Sequence, residues 1–145
     1  MVCVVQLVGP SGSGKTTVIV EVSRRLKMMG YKVAVLKHTH HDIDVPGKDS
    51  WRFLEEGGVD YSIVFRGSGD RVAIFTKQSL EKLVEEIEGK VNVILVEGFK
   101  NINLDGIRNV KAHRIEVMRG ENLVEVMEKT LNHIIQCLKE EIGKT

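Results

Sequence analysis

Residues Gly9-Pro10-Ser11-Gly12-Ser13-Gly14-Lys15-Thr16 match the pattern G-x-x-x-x-G-K-S/T at every fixed position. Glycine lets the backbone curl so that successive N–H groups converge on one concavity, which suits an anionic phosphate. Lys15 supplies a cation for the β- and γ-phosphates of a nucleotide, and the Thr16 hydroxyl is a ligand for Mg²⁺. The flanks agree with the motif. Cys3 to Val8 is a short apolar run rich in β-branched residues, as a buried parallel strand requires. Val18, Val22, Leu26 and Met29 then recur at helical spacing, and Gly30 stops the run. Strand, glycine-rich turn and helix in that order place the loop at a helix N-terminus, where the helix dipole adds to the attraction for anions.

The rest of the chain alternates strand and helix patterns. Lys32 to Lys37 reads as a second strand. A polar stretch follows from His38 to Lys48, and Asp49 or Ser50 is placed to cap a short helix through Leu54. Tyr61 to Phe65 and Val72 to Phe75 read as a hairpin around Arg66-Gly67-Ser68-Gly69-Asp70. Ser79 precedes a helix with Leu80, Leu83, Val84 and Ile87 on one face; its glutamates, Glu81 to Glu88, form the solvated side. Val91 to Val96 is an apolar strand, Asn101 to Lys111 is turn-rich, and Ala112 to Met118 reads as the last strand. Glu121 to Ile142 is a long amphipathic helix. Such alternation predicts an α/β fold of the P-loop NTPase type, a mostly parallel sheet with helices on both faces, as a single domain over residues 1–145.

Ligands in such sheets bind at the carboxyl ends of the strands. Three segments meet that condition: the phosphate loop, His38 to Lys48, and Glu97-Gly98-Phe99-Lys100 after the apolar strand. A carboxylate ending that strand suits the acid that faces the loop threonine across a metal, so Thr16 and Glu97 are the candidate Mg²⁺ pair. The His38 to Lys48 stretch holds three histidines and two aspartates. In an extended chain His38, His40, Asp42 and Asp44 share one side. This set admits a nucleotide- or partner-sensing loop, a transition-metal site or a plain polar surface loop. Lys48 and Asp49 continue the segment, and Lys48 could meet an anion. Trp51, Phe53, Tyr61 and Phe65 are expected in the core or on helix faces.

Net charge is +1 over 145 residues, so no basic field points to nucleic acid. No apolar run is long enough to span a membrane. The two cysteines, Cys3 and Cys137, form no framework and are expected as buried thiols in a reduced, cytoplasmic compartment.

Three segments together resemble one family. They are Gly9 to Thr17, Leu36 to Asp44 running into Pro46-Gly47-Lys48-Asp49-Ser50, and Leu95 to Lys100. They look like the molybdopterin-guanine dinucleotide biosynthesis protein B family, MobB, over roughly residues 1 to 100. The middle segment, Lys37-His38-Thr39-His40-His41-Asp42, is the distinctive one. The resemblance implies a GTP-binding accessory protein with weak Mg²⁺-dependent GTPase activity. It implies a homodimer that supports the guanylyltransferase joining GMP to molybdopterin, with molybdopterin itself a second ligand to consider. Carried over by position, Lys15, Thr16 and Glu97 would be catalytic. Gly9, Gly12, Ser13, Gly14, Lys15, Thr16 and Thr17 would contact the phosphates. His38, His40, Asp42, Asp44, Lys48 and Asp49 would form the second rim segment. No Asn-Lys-x-Asp guanine signature follows Glu97, so guanine preference rests on the resemblance. No water-positioning Gln follows the acid, and Arg66 and Arg71 are the only nearby candidates for an arginine finger, so hydrolysis should be slow. A small-molecule kinase and a metal-insertion GTPase are the alternatives.

Overall fold

The computed structural model describes residues 2–143. The chain separates into two compact units, Met1–His38 with Glu81–Thr145, and Thr39–Leu80.

The first unit is built on a four-stranded sheet in the order β2-β5-β1-β6, every pairing parallel. The strands are β1 (Val2–Val8), β2 (Val33–Lys37), β5 (Val93–Glu97) and β6 (Val110–Glu116). All seven residues of β1 are buried, because it has a strand on either side and cover on both faces. Its alternate residues Cys3, Val5 and Leu7 join Val93 and Leu95 of β5 in one apolar cluster. Val18, Ile19, Val22 and Leu26 of helix α1 (Lys15–Met28), Val126, Ile134 and Leu138 of helix α4 (Leu123–Gly143), and Ile115 and Val117 of β6 and its end complete it. Val4, Gln6, Ile94 and Val96 point to the other face and are buried as well. Val84 of helix α3 (Leu80–Glu88) and Leu104 of a short 3-10 turn (Leu104–Gly106) are buried outside the first cluster. The expected α/β fold of the P-loop NTPase type is therefore what the chain adopts.

Helix ends differ by a few residues from the sequence reading, for identifiable reasons. Asn122 accepts hydrogen bonds on Oδ1 from the N–H groups of Val124 (3.0 Å) and Glu125 (3.3 Å), so α4 starts at Leu123 rather than Glu121. The last strand starts at Val110, two residues early, because Asn109 takes a left-handed conformation (φ 64°) and delivers the chain directly into pairing with β1. Arg25 joins α1 to α4 through Glu128 at 2.7 Å while also holding Glu21 at 3.3 Å; these partners, Glu128 first, raise its pKa.

The second unit holds helix α2 (Asp49–Glu55) and an antiparallel hairpin of β3 (Ser62–Phe65) and β4 (Val72–Phe75). The hairpin lies where the sequence predicts it. The aromatic residues do not: Phe53, Tyr61 and Phe65 are exposed, and no residue of α2 is buried. A seven-residue helix against two short strands has too little apolar volume to enclose large rings. Neither Asp49 nor Ser50 caps α2. Lys48 occupies that position without a side-chain bond, and the Ser50 hydroxyl instead donates to Asp44 at 2.9 Å.

The cysteines also depart from expectation. Cys3 and Cys137 form a disulfide rather than two thiols, because β1 and α4 pack with the two Cα atoms 6.0 Å apart. Beside it, between the neighbouring strand β6 and α4, His113 stacks on His133 with ring centroids 3.6 Å apart, and Lys111 pairs with Glu140. Burial, then the neighbouring His133 and Lys129, lower the His113 pKa against the opposing pull of Asp105. The bridge spans 134 residues of sequence. Closing a loop that long limits the unfolded chain by about 5 kcal/mol in the chain-entropy model, with about 2–4 kcal/mol typical in practice. Urea denaturation with and without reductant should show a loss of about 2–5 kcal/mol on reduction. The Cys3→Ser variant should show a similar loss already and no further response to reductant.

Candidate functional site: the rim of the parallel sheet

Register decides what meets at the rim. Leu7 and Lys37 both pair with Glu97, and Val8 pairs with Glu116. All four strands therefore end at one level. The ladder continues for one more bond at each junction: His38 N–H donates to the Glu97 carbonyl (3.0 Å), Gly98 N–H to Leu7 (3.0 Å) and Val117 N–H to Val8 (2.8 Å). The phosphate loop, His38, Gly98-Phe99 and Val117 to Arg119 all leave from that edge.

The loop takes its shape from its glycines. A Cβ on Gly9 would sit 2.0 Å from the Val117 carbonyl oxygen. Gly14, at the start of α1, has φ 101°, and a Cβ there would strike Leu123 at 2.7 Å. Gly12 has φ 76° with open space around it, so only its backbone conformation calls for glycine. Across the mouth, the Lys15 ammonium donates to the carbonyls of Gly9 (2.7 Å) and Pro10 (2.9 Å). Arg119 Nε donates to the Ser11 carbonyl at 3.0 Å and holds the outer part of the loop. The Ser13 hydroxyl is buried and has no hydrogen-bond partner.

Thr16 and Glu97 meet as the motif predicts. The Thr16 hydroxyl lies 3.1 and 3.2 Å from the two carboxylate oxygens of Glu97 and donates to them. A hydroxyl and a carboxylate converging beneath a phosphate loop form an oxygen donor set suited to Mg²⁺, and the unpartnered Ser13 hydroxyl fits a loop shaped around a further group.

Behind Glu97 the chain turns sharply. Gly98 (φ 96°) and Phe99 (φ 57°) are both left-handed, which is costly for Phe. The structure offsets that cost with Gln6. Its Nε2 donates to the carbonyls of both Gly98 and Phe99, each at 2.8 Å, while the Phe99 ring stacks on His38 at 4.4 Å. Gln6, Phe99 and Arg119 were missed by motif reading. For Gln6 a signal existed: a single polar residue inside a central, wholly apolar strand must have a partner.

His38 thus lies in the first unit with the phosphate loop. His40, Asp42, Asp44, Lys48 and Asp49 belong to the second. There the chain bends rather than extends, so the shared side expected for His38, His40, Asp42 and Asp44 does not form. Asp44 Oδ1 accepts from Val45 N–H and from the Ser50 hydroxyl, and Asp49 opens α2. Asp42 and Asp44 line a cavity of about 230 Å³ with Trp51, Leu54, Phe75 and Lys77. Among the described residues no group of three or more His, Cys, Asp or Glu side chains could hold a metal ion. The transition-metal reading of this segment has no side-chain cluster behind it. Arg66 and Arg71 are also in the second unit, and Arg66 pairs with Asp70 at 3.4 Å.

The model of the family "Molybdopterin guanine dinucleotide synthesis protein B" matches residues 4–139. The chain belongs to the MobB family. It is 36% identical over 120 residues to a molybdopterin-guanine dinucleotide biosynthesis adapter protein of Haemophilus influenzae, covering 78% of this chain and 64% of that one. It is 37% identical over 118 residues to the protein of the same description from Escherichia coli K12, covering 73% and 66%. The chain thus spans about two thirds of the length of these relatives. The crystal structure of Bacillus subtilis MobB superposes with a TM-score of 0.59 at 19% identity, covering 90% of this chain and 96% of that one, a likeness of fold.

In this MobB-family chain Gly9 is the position where side-chain volume is least tolerable. Gly9→Ala should displace the loop from Val117 and cost about 2 kcal/mol or more of stability, within the range for overpacking. Thermal or urea unfolding of the variant checks it, with Gly12→Ala as the milder comparison because no atom lies near its Cβ.

Proposed function

We propose that this chain is a GTP-binding adapter of molybdopterin guanine dinucleotide formation that acts beside the guanylyltransferase and hydrolyses GTP slowly with Mg²⁺. The observation that carries the nucleotide part is the contact of Thr16 with Glu97 beneath a complete phosphate loop. In this reading the loop N–H groups and Lys15 bind the phosphates, and Thr16 and Glu97 hold Mg²⁺, which neutralises charge on the β- and γ-phosphates when bound. Lys15 already lies across the loop mouth on the Gly9 and Pro10 carbonyls, so its ammonium exchanges those weak acceptors for phosphate oxygens. Slow turnover follows from the residues near Glu97. Gly98 and Phe99 follow it, and neither side chain can orient an attacking water. The adapter role is supported by the family and its curated relatives; the guanylyltransferase is the partner that the family resemblance implies. Among the described residues no helix is long and apolar enough to cross a membrane.

Lys15→Ala should weaken GTP binding at least about tenfold while leaving the melting temperature unchanged, since a charge-assisted bond is worth about 1.5–3 kcal/mol. Glu97→Gln should lower Mg²⁺-dependent hydrolysis more than affinity. Equilibrium binding and single-turnover hydrolysis measure the two. Unchanged GTP affinity in folded Lys15→Ala would remove the phosphate-loop reading, and ATP outcompeting GTP would favour a kinase.

Dimerisation has its own support in the hairpin. Ile63 pairs with Ile74 and Phe65 with Val72, so the four share one face. They are 59%, 57%, 65% and 48% exposed. Four adjacent apolar side chains left in water favour burial against a second copy. Phe65→Asp with Ile74→Asp should convert the dimer to monomer by analytical ultracentrifugation; a parent chain that is already monomeric sinks this part of the reading.

A further inference from the structure

Two cysteines and two histidines surround one small cavity between the sheet and α4. The cavity, about 160 Å³, is lined by Cys3 of β1, His113 of β6, and His133 and Cys137 of α4. Cys3 stands near the amino end of its strand, away from the rim that carries the phosphate loop. Nothing in the phosphate-loop chemistry uses this group of residues.

Register and helical period bring the four together. Cys3 and Val5 both point into the cluster under α4, and His113 is the register partner of Val5, so its side chain stands on the same face. His133 and Cys137 are four residues apart on α4, neighbours on one helix face with Cβ atoms about 5–6 Å apart. The two cysteine Cα atoms are 6.0 Å apart, and the two imidazole centroids are 3.6 Å apart. Nitrogens held at about 2.0–2.1 Å from one tetrahedral ion lie about 3.3 Å from each other, close to that ring separation. Stacking occupies the ring faces and leaves the edge nitrogens.

In the bridged chain the sulfurs are committed to each other, and among the described residues no group of three or more His, Cys, Asp or Glu side chains could hold a metal ion. Reduction changes the ligand inventory and leaves the elements that carry it. We propose that Cys3, His113, His133 and Cys137 form a redox-gated zinc site, closed while the sulfurs are joined and open once they are reduced. A dithiol reductant opens it. One of its thiolates attacks the Cys137 sulfur, on the less buried of the two cysteines, and Cys3 leaves as thiolate. The second thiolate of the reductant then attacks its own sulfur in the mixed disulfide and releases Cys137. The reductant departs as a disulfide, and its two electrons and two protons remain on the cysteines. Zn²⁺ displaces the two thiol protons and takes two thiolates and two neutral imidazoles, a tetrahedral set with no net charge. Mg²⁺, a hard cation that prefers oxygen, does not compete there. The oxidised chain links only β1 to α4; in the zinc form His113 brings the edge strand β6 into the same cross-link.

The test compares the oxidised full chain with the full chain reduced by a water-soluble phosphine, which leaves as phosphine oxide with the oxygen of one water. Zn²⁺ is titrated in excess Mg²⁺ against a chromophoric chelator. The reduced chain should bind one Zn²⁺ more than the oxidised chain, and zinc should raise its melting temperature. Co²⁺ in place of Zn²⁺ should show thiolate charge-transfer absorption together with the intense visible bands of a tetrahedral site. His113→Asn, at an exposed position, and His133→Gln should each weaken zinc binding about tenfold or more, since even outer partners of a metal matter on that scale. Both variants keep the bridge, so their oxidised forms should melt with the parent. Cys137→Ser should remove the difference between the two redox states. Equal zinc binding by the oxidised and reduced chains, or Co²⁺ bands without thiolate absorption, overturns the site. Zinc binding that neither histidine variant weakens leaves a two-sulfur chelate and overturns the four-ligand set. A bridge that resists the phosphine in the folded chain, read by thiol alkylation and mass, overturns the gating.

Discussion

The parallel pairing of β1 between β5 and β6 is the constraint on which the rest of this molecule depends. Parallel strands start and stop at a common level only if their register is fixed, and register here is fixed by burial on both faces. A one-residue slip of β1 would exchange Cys3, Val5 and Leu7 for Val4, Gln6 and Val8. It would put the Gln6 amide into the apolar cluster under α1 and α4. That polar group, with no partner in the cluster, would cost a few kcal/mol. The same pairing sets Leu7 opposite Glu97, so the phosphate loop begins two residues past the level of the acid. Thr16, at the second position of α1, then comes down onto Glu97. Sheet register and site geometry are one constraint.

The turn after Glu97 shows how a central strand can serve two ends. Phe99 holds a backbone conformation that costs about 1–3 kcal/mol for a residue with a side chain. Two hydrogen bonds from a buried amide and a stacked ring balance it. Because the amide comes from β1, the strand that delivers the phosphate loop also restrains the segment that delivers the acid. A Cβ on Gly98 would approach His38 Cβ at 3.2 Å, so β2 closes on the same turn. Three strands of the sheet thus converge on one short segment, and it is the segment that follows the carboxylate.

Much of this was legible because it rests on local pattern. The phosphate loop, the flanking strand and helix, the hairpin and the acid at the end of β5 each follow from spacing and residue type within a few positions. What was not legible depends on pairs far apart in the chain. Cys3 and Cys137 both lie on apolar faces, which describes a buried thiol as well as a bridge; only the packing of α4 on β1 separates the two. The aromatic residues of the second unit were expected in the core or on helix faces. The unit is too small to bury them, and that is a property of volume, not of pattern. The segment from His38 to Asp49 reads as an extended set of ligands only if the chain stays straight. Asp44 and Thr39 instead accept hydrogen bonds from nearby backbone N–H groups and bend it.

The disulfide bears on how the sheet holds its edge strand. β6 is an edge strand, held by β1 alone on one side. On the α4 side its contacts step down the strand: His113 on His133, then Lys111 on Glu140, with the Cys3–Cys137 bridge between β1 and α4 at the level of Lys111. Cys3 pairs with Lys111 and Val5 with His113, so the bridge fixes α4 against β1 where α4 also grips β6. That places the rigid covalent link at the amino end of the sheet, away from the rim. Arg114, by contrast, leaves the same strand on the opposite face, and Val117 follows its end to meet Gly9. One edge strand therefore supports the phosphate loop through the backbone at its end, and it can do so because α4 grips the strand directly and the bridge fixes α4 on β1 beside it.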